Sequence, residues 1–198
     1  IQSKISLVIS TYTKNLQDQL FYKDIPNLTK VLGINIKAVL YKGRHNYLCR
    51  TRLKYVLQHN KSLLSDSECE LLLSIIVWKE YTKSGDIADC HGFRMMQMPR
   101  VWMLIRSEPG YCTLRKCKEW NGCFLSSIRD SVLNADIIVV NHSLFLAHLN
   151  TVDQLLPEEF NFIIDEGHNL VPAAQDQLIK QVHQQSLDSV TDFMDRNK

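Results

Sequence analysis

Four short apolar runs limit what this chain can fold into: Ile5-Ser-Leu-Val-Ile9, Ile34-Asn-Ile-Lys-Ala-Val-Leu40, Asp136-Ile-Ile-Val-Val140 and Phe160-Asn-Phe-Ile-Ile164. Each has the length and β-branched content of a buried strand. Strands of this kind separated by helices imply an α/β chain built on a parallel sheet covered on both faces. The last two runs stop at polar pairs, Asn141-His142 and Asp165-Glu166. Polar residues at strand carboxyl ends lie where such sheets bind ligands. The first run passes through Ser10-Thr11 into a polar helical stretch from Lys14 to Tyr22, which Pro26 is expected to end.

Between the second and third strands the texture changes. Ser65-Asp-Ser-Glu68 has the spacing of a capping box, and Leu71, Leu72, Ile75 and Ile76 follow at helical intervals toward Gly85. This reads as an inserted, mainly helical module. With 198 residues and 45% apolar content, the chain can bury one ordinary core and a smaller satellite. No run approaches the roughly 18 apolar residues of a membrane span, and the first residues lack a signal-type pattern. A cytoplasmic location is expected. The chain opens almost directly into a strand and not at Met, which points to sequence upstream.

Net charge is +2, but its distribution is uneven. Residues 25–65 hold no acid, while Lys30, Lys37, Lys42, Arg44, Arg50, Arg52, Lys54 and Lys61 are all basic. Tyr41, His45, Tyr47 and Tyr55 lie among them. Cations that neutralise phosphates, interleaved with rings that stack on bases, suit a polyanion surface, and a solvated face is the plainer account.

Six cysteines in a chain without secretory features argue against a disulfide framework. Cys49 opens the inserted module, and Cys112, Cys117 and Cys123 close it in a C-x4-C-x5-C run among the loop residues Pro109-Gly110 and Asn121-Gly122. A small apolar side chain gains little by burial in such a loop, so a metal is the better account. Structural zinc prefers tight C-x2-4-C knuckles, whereas iron-sulfur clusters accept wider spacing, so the gaps favour iron-sulfur while leaving zinc open. Cys69 reads as a small buried hydrophobe, and Cys90 has no partner at suitable spacing.

Asp165-Glu166 is the second constellation. Two carboxylates at the end of a parallel strand can hold Mg through the first and orient a water through the second. Acids in a helix first turn are the plainer alternative, and the preceding apolar run and His168 weigh against it.

From end to end the chain resembles the bacterial DinG helicases, relatives of the XPD-type iron-sulfur helicases of superfamily 2. Ser10-Thr-Tyr-Thr-Lys-Asn-Leu-Gln-Asp-Gln-Leu20 is similar to the family's motif Ia, and Lys42-Gly-Arg-His-Asn-Tyr-Leu-Cys49 to the segment delivering the first cluster cysteine. The other three cysteines fall at the family's spacing. Ala135-Asp-Ile-Ile-Val-Val-Asn-His-Ser-Leu-Phe-Leu146 is similar to its V-V-N-H strand, and Asp165-Glu-Gly-His168 to its D-E-A-H box, with Gly in place of the commoner Ala.

The resemblance implies a partial RecA-like motor domain with an inserted iron-sulfur domain. Residues 1–44 and 131–169 would belong to the motor, 45–130 to the cluster domain, and 170–198 to the start of an Arch-like helical insertion. It implies that Asp165 holds Mg bound to ATP, Glu166 polarises water and His168 couples the nucleotide site to the nucleic acid. Thr11, Tyr12 and Thr13 would follow single-stranded DNA, with Lys42, Arg44 and Arg115 beside the strand. Cys49, Cys112, Cys117 and Cys123 would ligate a 4Fe-4S cluster at the wedge that parts forked DNA. The implied protein is a monomer with no membrane contact.

One departure stands out. A G-x-G-K-T-type phosphate loop is absent from the sequence, as is a second motor domain. A backbone cradle and Lys are needed for the β- and γ-phosphates, so this segment of an ATP-dependent helicase is expected to be inactive alone. The alternatives are a zinc- or cluster-stabilised nucleic-acid-binding module without motor activity, and a nuclease or interaction domain retaining the motor fold.

Overall fold

The computed structural model describes residues 5–92, 99–109, 122–150 and 155–178. Four parallel strands, β1 (Ser6–Thr11), β2 (Ala38–Leu40), β3 (Ile137–Asn141) and β4 (Phe160–Ile164), form one sheet in the order β2-β3-β1-β4. All four apolar runs are therefore strands, although only the last three residues of the 34–40 run join the sheet. Val8, Ile138, Val139 and Val140 are fully buried in it. Around them Tyr41, Val132, Leu144, Phe145 and Leu156 close one core.

The centre of the sheet is covered on both faces as expected, since the successive residues Ile138, Val139 and Val140 are all buried, whereas its β4 side is open among the described residues. β4 pairs only with β1, and Phe162 and Ile163 on it are half exposed. Among the described residues it is an edge strand, which leaves one row of its backbone groups outside the ladder.

β1 leads into α1 (Lys14–Gln19), capped by the Thr13 hydroxyl, which accepts the Leu16 N–H at 3.2 Å. The helical stretch does not end at Pro26. It widens into a π-turn segment, Leu20–Asp24, and continues as α2 (Ile25–Leu32), with Pro26 in the first turn of α2. A π-turn relaxes the tight i→i−4 ladder that a proline ring would otherwise clash with, and the first turn needs no proline N–H. Gly33, at φ 64°, then ends α2 in the left-handed conformation.

The inserted module packs α3 (Arg50–Gln58), the short α4 (Asn60–Leu63), α5 (Asp66–Tyr81), α6 (Pro99–Ile105) and the start of α7 (Phe124–Leu133) around a second core. Leu48, Leu53, Leu72, Ile75, Trp102 and Ile105 form its centre. Both halves of the capping box are made: Ser65 Oγ accepts the Glu68 N–H and Glu68 Oε2 accepts the Ser65 N–H. Arg100 then grips the Glu68 carboxylate from α6 at 2.8 Å. Cys69, expected as a small buried hydrophobe, packs half-buried at the edge of this core, and Cys90 is buried within it.

α8 (His142–Asn150) follows β3, and a 3-10 turn and α9 (Leu170–Leu178) follow β4. No helix among the described residues is long and apolar enough to cross a membrane.

Candidate functional site

The carboxyl ends of β1, β3 and β4 lie side by side, because Thr11 pairs with Asn141 and Ser10 with Ile164 in register. This brings the Ser10–Thr13 turn, Asn141-His142 and Asp165–His168 to one sheet edge. The Asp165 N–H donates to the Ser10 carbonyl at 2.9 Å, extending the β1–β4 ladder by one bond into the acidic segment. Asp165, Glu166 and His168 are all exposed, as a site for an external anion or cation requires.

Glu166 sits at φ 52° and ψ 44°, the only residue other than glycine with positive φ among those described. A left-handed residue two positions past the end of the strand turns the chain sharply, and the His168 ring comes back to Glu166. His168 Nε2 lies 3.3 Å from Glu166 Oε2 and 3.1 Å from Asn169 Nδ2. One ring nitrogen cannot donate to the carboxylate and accept from the amide at once, so this trio has two alternative arrangements.

On β1, Thr11 is buried and its hydroxyl donates to the Thr13 carbonyl at 3.4 Å, holding the turn. Tyr12 and Thr13 are exposed. Of the three residues expected along a strand, the structure presents two to solvent and uses the third beneath them.

His142 has a role that the sequence did not suggest. Asn141 Oδ1 accepts the Leu144 N–H at 2.8 Å and so caps α8, leaving His142 in the core at 1% exposure. Its Nδ1 lies 2.7 Å from the hydroxyl of Ser10, itself fully buried, while its Nε2 is buried without a partner among the described residues. An orphaned buried nitrogen costs about 1–3 kcal/mol, a burden that packing alone would remove. The available signal was Asn141, an N-cap residue directly after an apolar strand.

The basic stretch is divided: Lys30, Lys37, Lys54 and Lys61 are exposed, while Lys42 and Arg52 are committed within the fold. Lys42 is 7% exposed, its ammonium 2.7 Å from Asp86 and 4.0 Å from Asp18. Expected beside a DNA strand, it is placed where its charge is neutralised from within. Arg52 donates to the carbonyls of Leu104 and Met103, tying α3 to the end of α6. Arg44 is half-buried on a 3-10 turn.

Cys49 and Cys123 immediately precede α3 and α7, each in an extended conformation with no side-chain cap. Cys49 is pinned by its N–H to the Ile105 carbonyl at 2.9 Å, and the flanking Leu48 bridges to Arg106. The two cysteine segments meet: the Arg50 guanidinium lies 4.5 Å from the centroid of the Phe124 ring. A Cβ on Gly122 would stand 2.5 Å from Arg50 Nη1. Cys49 and Cys123 thus each stand at a helix start, on segments that the Arg50–Phe124 contact brings together. Cys112, Cys117 and Arg115 lie outside the described residues. Among the described residues no group of three or more His, Cys, Asp or Glu is placed to hold a metal.

No protein-family model matches the chain. Known proteins do. Over 171 residues, 82% of the chain, it is 36% identical to YoaA of Haemophilus influenzae, named an ATP-dependent DNA helicase. Over 177 residues, 86% of the chain, it is 33% identical to the Escherichia coli YoaA of the same name. Its homologues include ATP-dependent DNA helicases named YoaA and DinG, so it is a segment of a DinG-type protein. The chain spans about a quarter of the length of the two YoaA proteins, 26% and 27%. The Bacillus subtilis DinG, 29% identical over 90% of the chain, is named a 3'-5' exonuclease, and the chain covers 19% of it. The DinG-type likeness and the α/β parallel sheet thus agree with the motif reading.

Proposed function

We propose that this chain is the part of a DinG-type, ATP-dependent DNA helicase where the nucleotide site meets the nucleic-acid track. The parent enzyme would be a cytoplasmic monomer moving on single-stranded DNA and opening forks. The observation that carries this reading is the Asp165 N–H bond to Ser10, which sets the carboxylate pair beside the exposed Tyr12–Thr13 turn.

In this reading Asp165 holds Mg bound to ATP, the oxygen chemistry that a hard cation takes, and Glu166 polarises the attacking water. His168, free to engage Glu166 or Asn169, couples the pair to the strand. Tyr12 and Thr13 face the DNA, Thr11 braces them, and Arg44 and Arg115 meet the strand further along. Lys42 leaves this group because its charge is spent on Asp86. Cys49, Cys112, Cys117 and Cys123 ligate a 4Fe-4S cluster, which when bound fastens the wedge module. Residues 1–44 and 131–169 are motor, 45–130 the cluster domain, and 170–198 the start of an Arch-like insertion.

The sequence carries no phosphate loop, so residues 1–198 alone should not turn over ATP. The test is ATP hydrolysis by the intact enzyme carrying this segment, with and without single-stranded DNA, for wild type and Asp165→Asn. DNA-stimulated turnover that Asp165→Asn abolishes is expected, and equal rates in the two proteins would remove the reading. Iron and sulfide near four each per anaerobically purified chain are expected, while bound zinc would favour the alternative of a nucleic-acid-binding module. ATP-independent trimming of 3' ends that needs Asp165 would instead favour the exonuclease activity for which the Bacillus relative is named.

A further inference from the structure

We propose that the buried Ser10–His142 hydrogen bond is the link through which single-stranded DNA on the Tyr12 turn sets the position of Asp165, making His142 a positioning residue for ATP turnover. The inference rests on the helicase reading above and deepens it. Ser10 stands at the centre of the sheet end, paired with Val140 on one side and Ile164 on the other. Its carbonyl accepts the Asp165 N–H at 2.9 Å and its hydroxyl meets His142 Nδ1 at 2.7 Å, so one residue touches both partners. The other end of the link is the Tyr12 ring, which lies against the imidazole with centroids 6.1 Å apart and planes tilted by 40°. Tyr12 is 49% exposed and open to a stacking base, whereas Ser10 and His142 are at 0% and 1%.

The route from solvent to carboxylate is therefore Tyr12, His142, Ser10, Asp165, with no gap. Pure packing does not explain an imidazole here, since an aliphatic side chain would fill the space without desolvating an unpartnered Nε2. Among the described residues the ring has one hydrogen bond, so tilting it under Tyr12 draws on Ser10. Ser10 cannot shift without moving the backbone donor of Asp165. Contiguous, buried and hydrogen-bonded contacts of this kind are the physical basis on which two sites bias each other.

The experiment uses the intact helicase carrying this segment. His142→Phe keeps a ring beneath Tyr12 but removes both nitrogens, and Ser10→Ala removes the hydroxyl alone. Each is expected to lower the ratio of DNA-saturated to DNA-free ATP turnover by about tenfold, while the Kd for an oligo-dT strand stays within about twofold. Parallel loss of both rates, the mark of a merely structural role, overturns the inference, as does an unchanged ratio. Independently of any variant's folding, the wild-type His142 imidazole nitrogens should shift in long-range ¹H–¹⁵N spectra when oligo-dT binds, and signals that stay put overturn it too. A wild-type enzyme that DNA fails to stimulate brings down the helicase reading and this inference together. A stimulated wild type with unaffected variants brings down this inference alone.

Discussion

Lys42 Nζ and Asp86 Oδ2 stand 2.7 Å apart, with their side chains only 8% and 11% exposed. The pair fastens the segment after β2 to the start of a short 3-10 turn, Ile87–Asp89, which Asp86 caps, and the Lys42 N–H adds a bond to the Tyr47 hydroxyl at 3.0 Å. Burial pushes the Tyr47 phenol far above its usual range, so this hydroxyl stays protonated and free to accept. Removing one partner of a buried pair strands the other charge. Asp86→Asn or Lys42→Met should each cost about 3–5 kcal/mol in urea denaturation, and the double variant Lys42→Met/Asp86→Asn markedly less than their sum. Additive losses would show that the two charges do not interact.

Gly122, at φ 103°, stands beside Cys123 with the Arg50 guanidinium against it. Any side chain there meets both an unfavourable backbone conformation and that guanidinium. Gly122→Val should cost about 1–3 kcal/mol and reduce iron retained per chain after aerobic purification, because it parts the Cys49 and Cys123 segments. Unaltered iron content together with a lowered melting temperature would confine Gly122 to folding.

The Glu68 carboxyl is held below the usual carboxylate range, first by the Ser65 N–H and then by Arg100. A depressed folded-state pKa contributes stability above the unfolded value of about 4.3, lost as pH falls below it through the folded-state pKa. Wild type should exceed Glu68→Gln by about 1 kcal/mol at neutral pH, with the gap closing as pH falls below the unfolded value. Thermal melts of both proteins across that range measure it, and a gap independent of pH would assign the loss to packing.

The strands and the capping box were legible because each is written in adjacent residues: β-branched runs that stop at polar pairs, and a Ser-x-x-Glu cap. So was the cluster of functional groups at one sheet edge, since carboxyl ends of parallel strands converge. What lay beyond reach depended on partners distant in the chain. Nothing near Lys42 announces Asp86, and nothing near His142 announces Ser10. Pro26 misled because the π-turn before it relaxes the ladder that a proline usually breaks. The openness of β4 was hidden for a related reason: its apolar composition is that of a central strand, while its place in the sheet order is set by pairings made elsewhere.

The divided roles of the basic stretch lead to a prediction about salt. Each phosphate contact on a single strand releases counterions and adds about 0.7 to the slope of log affinity against log salt. A cation already neutralised by a buried carboxylate releases none when DNA binds. In the intact enzyme, Lys42→Gln should therefore leave the slope for oligo-dT unchanged, although the protein is less stable. Arg44→Gln should flatten it by about 0.7, since Arg44 lies on the half-buried turn next to that pair and is proposed to meet the strand. Fluorescence anisotropy titrations at four or more salt concentrations give both slopes. A flattened slope for Lys42→Gln would mean that the ion pair with Asp86 opens when the strand arrives, and would return Lys42 to the DNA track.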